Sequence, residues 1–173
     1  MNPETVPEKV KIIGYTPEHH AYFRQFNEAW ITEHFVLEEI DHQLLRDPQT
    51  NIINNGGYIF MATYNNEVVG TCALIRLTDL TFELAKMAVA EHARGKGIGH
   101  ALVSHCIAFS KSMGIRKIEL LSNTILAPAI SLYRKLGFKE VPLPKTEFQR
   151  ANIKMELDLQ SFGPDQSHSP RGL

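Results

Sequence analysis

Residues 91–101 read EHARGKGIGHA, and their reading decides the fold. Gly95, Gly97 and Gly99 stand at alternate positions, where a chain without Cβ atoms can turn tightly and lie close to a ligand. A strand pattern ends at residue 90, and a helical one begins at Ile98. Ile98, Leu102, Cys106, Phe109 and Met113 follow at steps of four, four, three and four, one apolar stripe against a sheet. Gly114 is placed to end that helix. A helix starting in such a loop turns its free N–H groups and the positive end of its dipole into it. The result is an anion site, with Arg94 and Lys96 on its rim, that a pyrophosphate fits. The plainer alternative is a tight strand–helix connection that holds nothing. A Walker A pattern is absent, and the dinucleotide fingerprint fails because its third glycine falls on His100 or Leu102.

Working outward, residues 81–90 form the strand before the loop, and residues 58–64 and 67–77 form a hairpin around Asn65-Asn66. Residues 10–15 are a first strand. Thr16 then caps a helix with Pro17 in its first turn and Tyr22, Phe23, Phe26, Trp30 and Ile31 on its apolar side. A short helix covers residues 37–45 and stops before Asp47-Pro48. After the glycine loop and its helix come a strand over 115–121, a helix from Pro128 to Gly137, and strands over 138–141 and 151–159. The order β-α-α-β-β-β-α-β-α-β-β predicts an α/β (α+β) fold: a mixed, mostly antiparallel sheet of about seven strands flanked by about four helices. Residues 1–159 are expected to form one domain, and the polar residues 160–173 a flexible tail.

The composition is that of an ordinary globular chain: 173 residues, 43% hydrophobic, 21% charged, net charge -1. Near-neutral charge gives no footprint for nucleic acid or for a membrane surface. No apolar run is long enough to span a bilayer, and MNPETVPEKVKII lacks a secretory pattern. Cys72 and Cys106 lie outside any zinc-like spacing and read as reduced core thiols of a cytoplasmic protein. The eight histidines form no HExxH, so no metal is expected. No GxSxG elbow is present.

Arg94-Gly95-Lys96-Gly97-Ile98-Gly99 resembles the R/Q-x-x-G-x-G/A signature of the GNAT N-acetyltransferase superfamily. Residues 83–89 look like its central strand, and Ala129-x-x-x-Tyr133-x-x-x-Gly137-Phe138 like its later helix and strand. The element order matches over residues 10–159. ELAKMAV, LSN, LYRKLGF and the closing FQRANIKMELDL are most similar to a bacterial subgroup sometimes fused to MarR-type regulators. With no such module before Val10, this chain resembles the free-standing enzyme.

The resemblance implies acetyl-CoA as cosubstrate, held by backbone groups of Met87, Ala88 and Val89, by the loop from Arg94 to Gly99, and by Asn123, which equally suits a turn or helix start. It implies direct attack of an amine on the thioester, in a ternary complex. A backbone N–H near Val89 would stabilise the oxyanion. Tyr133 would protonate the departing thiolate; its alternative is a core tyrosine on the stripe of Ala129, Leu132 and Leu136. Glu83, eleven positions before Arg94, is the candidate base; otherwise it is a strand-edge glutamate paired with Lys86 or another cation, and ordered water serves as base. Trp30, His34, Phe35 and Arg150 are placed on the amine side, Arg150 either meeting a substrate carboxylate or lying exposed in a hairpin. The acceptor would be a small molecule, amino acid or peptide amine, and the chain a possible homodimer. A non-catalytic acyl-CoA-binding module is the competing function.

Overall fold

The computed structural model describes residues 9–145 and 149–160. The elements run β1 (Val10–Gly14), α1 (His20–His34), α2 (Glu39–Arg46), β2 (Tyr58–Tyr64), β3 (Glu67–Arg76), β4 (Thr81–Val89), α3 (Ile98–Ser112), β5 (Lys117–Ser122), α4 (Ala127–Lys135), β6 (Lys139–Val141) and β7 (Ile153–Asp158). All seven strands join one sheet in the order β1-β2-β3-β4-β5-β7-β6. Every neighbouring pair is antiparallel except β4 with β5. This is the mixed, mostly antiparallel sheet that the order of elements predicts. The expected tail, save for Gln160, lies outside the described residues.

Alternating apolar residues feed two cores, one on each face of the sheet. Leu102, Val103 and Cys106 of α3 and Ile130 and Tyr133 of α4 pack on Phe60, Cys72, Leu84, Ile118 and Met155. On the other face Phe23 of α1 and Leu44 and Leu45 of α2 cover Ile59, Met61 and Ala73. Full burial of each such aliphatic side chain contributes about 1.5–3 kcal/mol. A Cβ on Gly70 would lie 3.2 Å from Ile98 Cγ2 and 3.3 Å from Leu102 Cδ1, so glycine lets the start of α3 sit close upon β3. Asn65 and Asn66 both have positive φ, 49° and 66°, the two-residue turn that a right-twisted hairpin favours.

Several details differ from the sequence reading. Thr16 and Pro17 open a single tight turn, Pro17–His19, in which the Thr16 N–H donates to His19 Nδ1, and α1 begins only afterwards. The buried stripe of α1 is Phe23, Asn27 and Ile31, while Tyr22 is exposed: the stripe follows the four-residue step, and Tyr22 falls off it. Met113 is likewise exposed, because α3 ends at Ser112 and Met113 is its C-cap. Residues 37 and 38 precede α2, whose start is fixed by Glu38 and Asp41; the Glu38 N–H donates to Asp41 Oδ2 at 2.9 Å. A wide helical turn, Gln49–Ile53, follows α2 in a stretch to which the sequence reading assigned no element.

Candidate active site

The parallel pair of β4 and β5 is short. Its register runs Thr81–Lys117, Phe82–Ile118 and Glu83–Glu119, and Glu83 with Glu119 is the last pair. β4 continues to Val89 and β5 to Ser122, so the two strands part and leave a cleft between them. On its other edge β4 carries a bulge. Thr71 faces Ala88 and Ala73 faces Ala85, leaving both Lys86 and Met87 opposite Cys72. Lys86 takes φ 53°, a left-handed conformation rare outside glycine and asparagine. The extra residue changes which face the strand presents. Phe82 and Leu84 before it, and Met87 and Val89 after it, all pack on the α3–α4 side.

A groove of about 490 Å³ runs along the loop. Met87, Val89, Arg94, Gly95, Gly97, Ile98 and Gly99 line it, facing Trp30, Glu33 and His34 at the end of α1. Gly95 and Gly97 have φ 78° and 76°, and Gly97 is the N-cap of α3. The first helical bond of α3 is Ala101 N–H to Gly97 O at 3.0 Å, so the N–H groups of Ile98, Gly99 and His100 precede the helical ladder. The Arg94 N–H is turned away, donating to Glu91 O at 3.3 Å; the backbone donors of the loop therefore begin at Gly95. The Arg94 guanidinium forks onto Glu33, and Lys96 Nζ lies 4.8 Å above the Tyr64 ring. Ala88 is buried, pairs with Thr71 and does not line the groove; its carbonyl is turned toward Gly70 of β3.

A second cavity of about 120 Å³ adjoins the groove; Trp30, Met87, Leu126 and Ala129 line both. Glu83, Lys86, Tyr133, Asn123, Arg150 and Phe35 wall it. Tyr133 sits on α4 with its ring edge-on to Phe138 at 5.7 Å. Burial, and then the neighbouring Cys72 thiol, push its phenol well above the ordinary value of 10.0. It is therefore protonated at neutral pH. The Ala90 N–H donates to Val69 O at 2.7 Å. Alternation along the strand then turns the Val89 N–H to the opposite edge, toward the cleft.

Behind this cavity lies a charge cluster. Asp41 is wholly buried and accepts from Lys86 Nζ at 2.5 Å and from Arg150 at 2.6 and 2.7 Å. Burial works to raise the Asp41 carboxyl, but Arg150, Lys86 and the Glu38 N–H outweigh it and hold the group at about 2. For Lys86 burial dominates and lowers the ammonium, against the pull of Asp41. Asn123 Nδ2 donates to Arg150 O at 2.8 Å, and its Oδ1 accepts from the Ile125 N–H at 3.0 Å, which is how a turn residue behaves.

The structure thus brings Glu83, Tyr133, Asn123, Arg150, Trp30 and Phe35 to one cavity and the loop glycines, Ile98, Arg94 and His34 to the adjoining groove. Lys96 lines neither among the described residues. Sequence reasoning passed over Asp41, Glu38 and Glu33, and it met Lys86 only as a partner for Glu83. Asp41 did leave a signal: it precedes Leu44 and Leu45 by three and four residues, on the apolar stripe of its helix.

Parted central strands, a glycine loop opening a helix and a phenol beside the cleft define an acyl-transferring enzyme. Residues 17–138 match the Acetyltransferase (GNAT) family, and the chain belongs to that family. It is 31% identical over 111 residues to the uncharacterized N-acetyltransferase CT2212 of Chlorobaculum tepidum, covering 64% of this chain and 66% of that protein. The crystal structure of a GNAT-family acetyltransferase from Staphylococcus aureus Mu50 superposes with TM-score 0.78 at 26% identity, over 87% of this chain and 99% of that one. The fold is shared with yncA, an acetyltransferase from Salmonella typhimurium solved with its cofactor acetyl-CoA, at TM-score 0.69 and 19% identity, over 95% and 99% of the two chains. The expectation of an acyltransferase is met at the level of the family. The narrower subgroup stays an expectation of the sequence.

Proposed function

We propose that the chain transfers the acetyl group of acetyl-CoA to the amine of a small molecule, amino acid or peptide, by direct attack within a ternary complex. The observation that carries this reading is the meeting of two cavities at the parted strands. One is lined by the glycine loop, the other by a carboxylate and a phenol. The residues fit the cosubstrate. Gly95 and Gly97 have open space where a Cβ would stand, and the first N–H groups of α3 supply donors for a pyrophosphate. When bound, acetyl-CoA supplies an activated acetyl thioester.

The roles of the chain's own groups follow from their places. Val89 would direct its N–H at the carbonyl oxygen where negative charge develops. Glu83 would take the proton of the attacking amine, directly or through water. Tyr133, held protonated by burial, would donate to the departing sulfur. Trp30 and Phe35 would pack against the acceptor. The test is a panel of amines incubated with acetyl-CoA and read by free thiol release, alongside calorimetry of acetyl-CoA binding. Thiol release with at least one amine is expected. No binding of acetyl-CoA, or unchanged binding in the Arg94→Ala/Lys96→Ala double variant, would overturn the assignment of the loop.

A further inference from the structure

Side chains rejoin the two strands that part at the cleft. On the β4 side the Lys86 ammonium, at the bulge, donates to Asp41. Arg150 forks onto the same carboxylate and reaches Glu38 Oε2 at 3.0 Å. The Arg150 backbone oxygen in turn accepts from Asn123, the residue just past the end of β5. The path Lys86–Asp41–Arg150–Asn123 therefore spans the gap that opens beyond Glu83 and Glu119, and three of its four members line the smaller cavity.

Two observations separate this cluster from an ordinary ion pair. Taking both charges out of water offsets most of their attraction, so a buried pair is a poor device for stability alone. Lys86 is also held in a left-handed conformation that a lysine adopts only at a cost, and its partner is a carboxylate with 0% exposure. We infer that Asp41 is a positioning residue of the acceptor cavity: it anchors the bulge of β4 through Lys86 and the end of β5 through Arg150 and Asn123, and so sets the separation of the parted strands. Because Arg150 is engaged by Asp41 and Glu38, the acceptor is chosen by the shape of the cavity and its Trp30–Phe35 wall rather than by a carboxylate seeking Arg150. That the cavity receives the amine rests on the acetyl-transfer reading; the bridge does not.

The test is amide hydrogen exchange on the full chain, comparing wild type, Asp41→Asn and Arg150→Gln over residues 84–90 and 120–126. Asp41→Asn should speed exchange in both segments about tenfold more than it does in the β2–β3 hairpin, which reports the global loss of stability. Arg150→Gln, at a less buried position, should loosen 120–126 and carries the test if Asp41→Asn does not fold. Unchanged exchange over 120–126, or a uniform rise everywhere, overturns the bridge. With an acceptor from the amine panel, Asp41→Asn should raise its KM about tenfold while the Kd for acetyl-CoA stays within about twofold. An acceptor KM that is unchanged or lower in Asp41→Asn would overturn the positioning role. Failure of the acetyl-transfer reading shows separately, as wild-type protein that binds no acetyl-CoA.

Discussion

Glu33 and Arg94 close a two-pronged ion pair, with contacts of 3.2 and 2.9 Å, between the end of α1 and the loop that opens α3. Both residues line the larger groove. The Arg94 hydrogen bond, more than its charge, holds the Glu33 carboxyl below its ordinary value. A carboxylate thus already occupies the guanidinium that a pyrophosphate would seek. Both partners remain well exposed, so the pair is weak and salt-sensitive. Glu33→Gln should tighten acetyl-CoA binding a few-fold in calorimetry at low salt, with the gain shrinking as salt is added. Weaker binding would make the pair a clamp on the bound cosubstrate instead of its competitor.

Gly97 and Gly99 make opposite predictions although they are two residues apart. Gly97 has φ 76°, so Gly97→Ala strains the backbone and should cost about 1–2 kcal/mol of stability. Gly99 lies inside the first turn of α3, where its Cβ would meet only Leu132 Cδ2 at 3.7 Å. Gly99→Ala should hold or raise the melting temperature, by up to about 1 kcal/mol of helix propensity, yet weaken acetyl-CoA binding by filling the groove. Thermal melts paired with calorimetry separate the two effects.

The strands and helices were legible because most of the chain obeys a simple period. Ile153, Met155 and Leu157 alternate and are buried, and the stripe of α3 holds from Ile98 through Cys106. The loop was legible because two of its glycines answer a real need for positive φ. The bulge was not. Its left-handed residue is a lysine, and the change of parity from Phe82 and Leu84 to Met87 and Val89 went unread until the register against Cys72 showed the insertion. Asp41, and its pairing with Arg150, were hidden for a related reason. A charged side chain reads as a solvent-facing one until its partner is known, and these partners come from segments more than a hundred residues apart. The parting of β4 from β5 is likewise visible only in the pairing of the sheet, which ends at Glu83 and Glu119, and not in the sequence of either strand.

Asp41 should also shape the acid stability of the fold. Its carboxyl sits at about 2, below the ordinary 3.8. A carboxylate depressed in the folded state contributes stability that is present above the unfolded value and is lost as pH falls through the folded one. The window is therefore roughly pH 4 down to 2, and the shift corresponds to about 2 kcal/mol. Urea midpoints between pH 6 and pH 2 test this. Asp41→Asn should be less stable than wild type at pH 6 by about 3–5 kcal/mol, because the buried Lys86 ammonium and the half-buried Arg150 lose the Asp41 carboxylate. The difference between the two curves should narrow as pH falls through that window; a constant gap would mean that Asp41 carries the same protons in both states.

Tyr133 and Glu83 face one cavity from opposite walls, α4 and β4, and their variants should fail in different ways. Burial keeps the Tyr133 phenol protonated across the neutral range, so its loss removes a proton donor without removing a charge. Tyr133→Phe should lower kcat by about 10²–10⁴-fold, leave the Kd for acetyl-CoA unchanged, and keep the acidic limb of the pH–rate profile. Glu83→Gln would remove the carboxylate proposed to take the amine's proton, and should flatten that acidic limb. The measurement is the pH dependence of thiol release for both variants with one amine of the panel. An unaltered kcat in Tyr133→Phe would return that residue to the core it also packs, and an acidic limb that survives Glu83→Gln would assign the proton to ordered water.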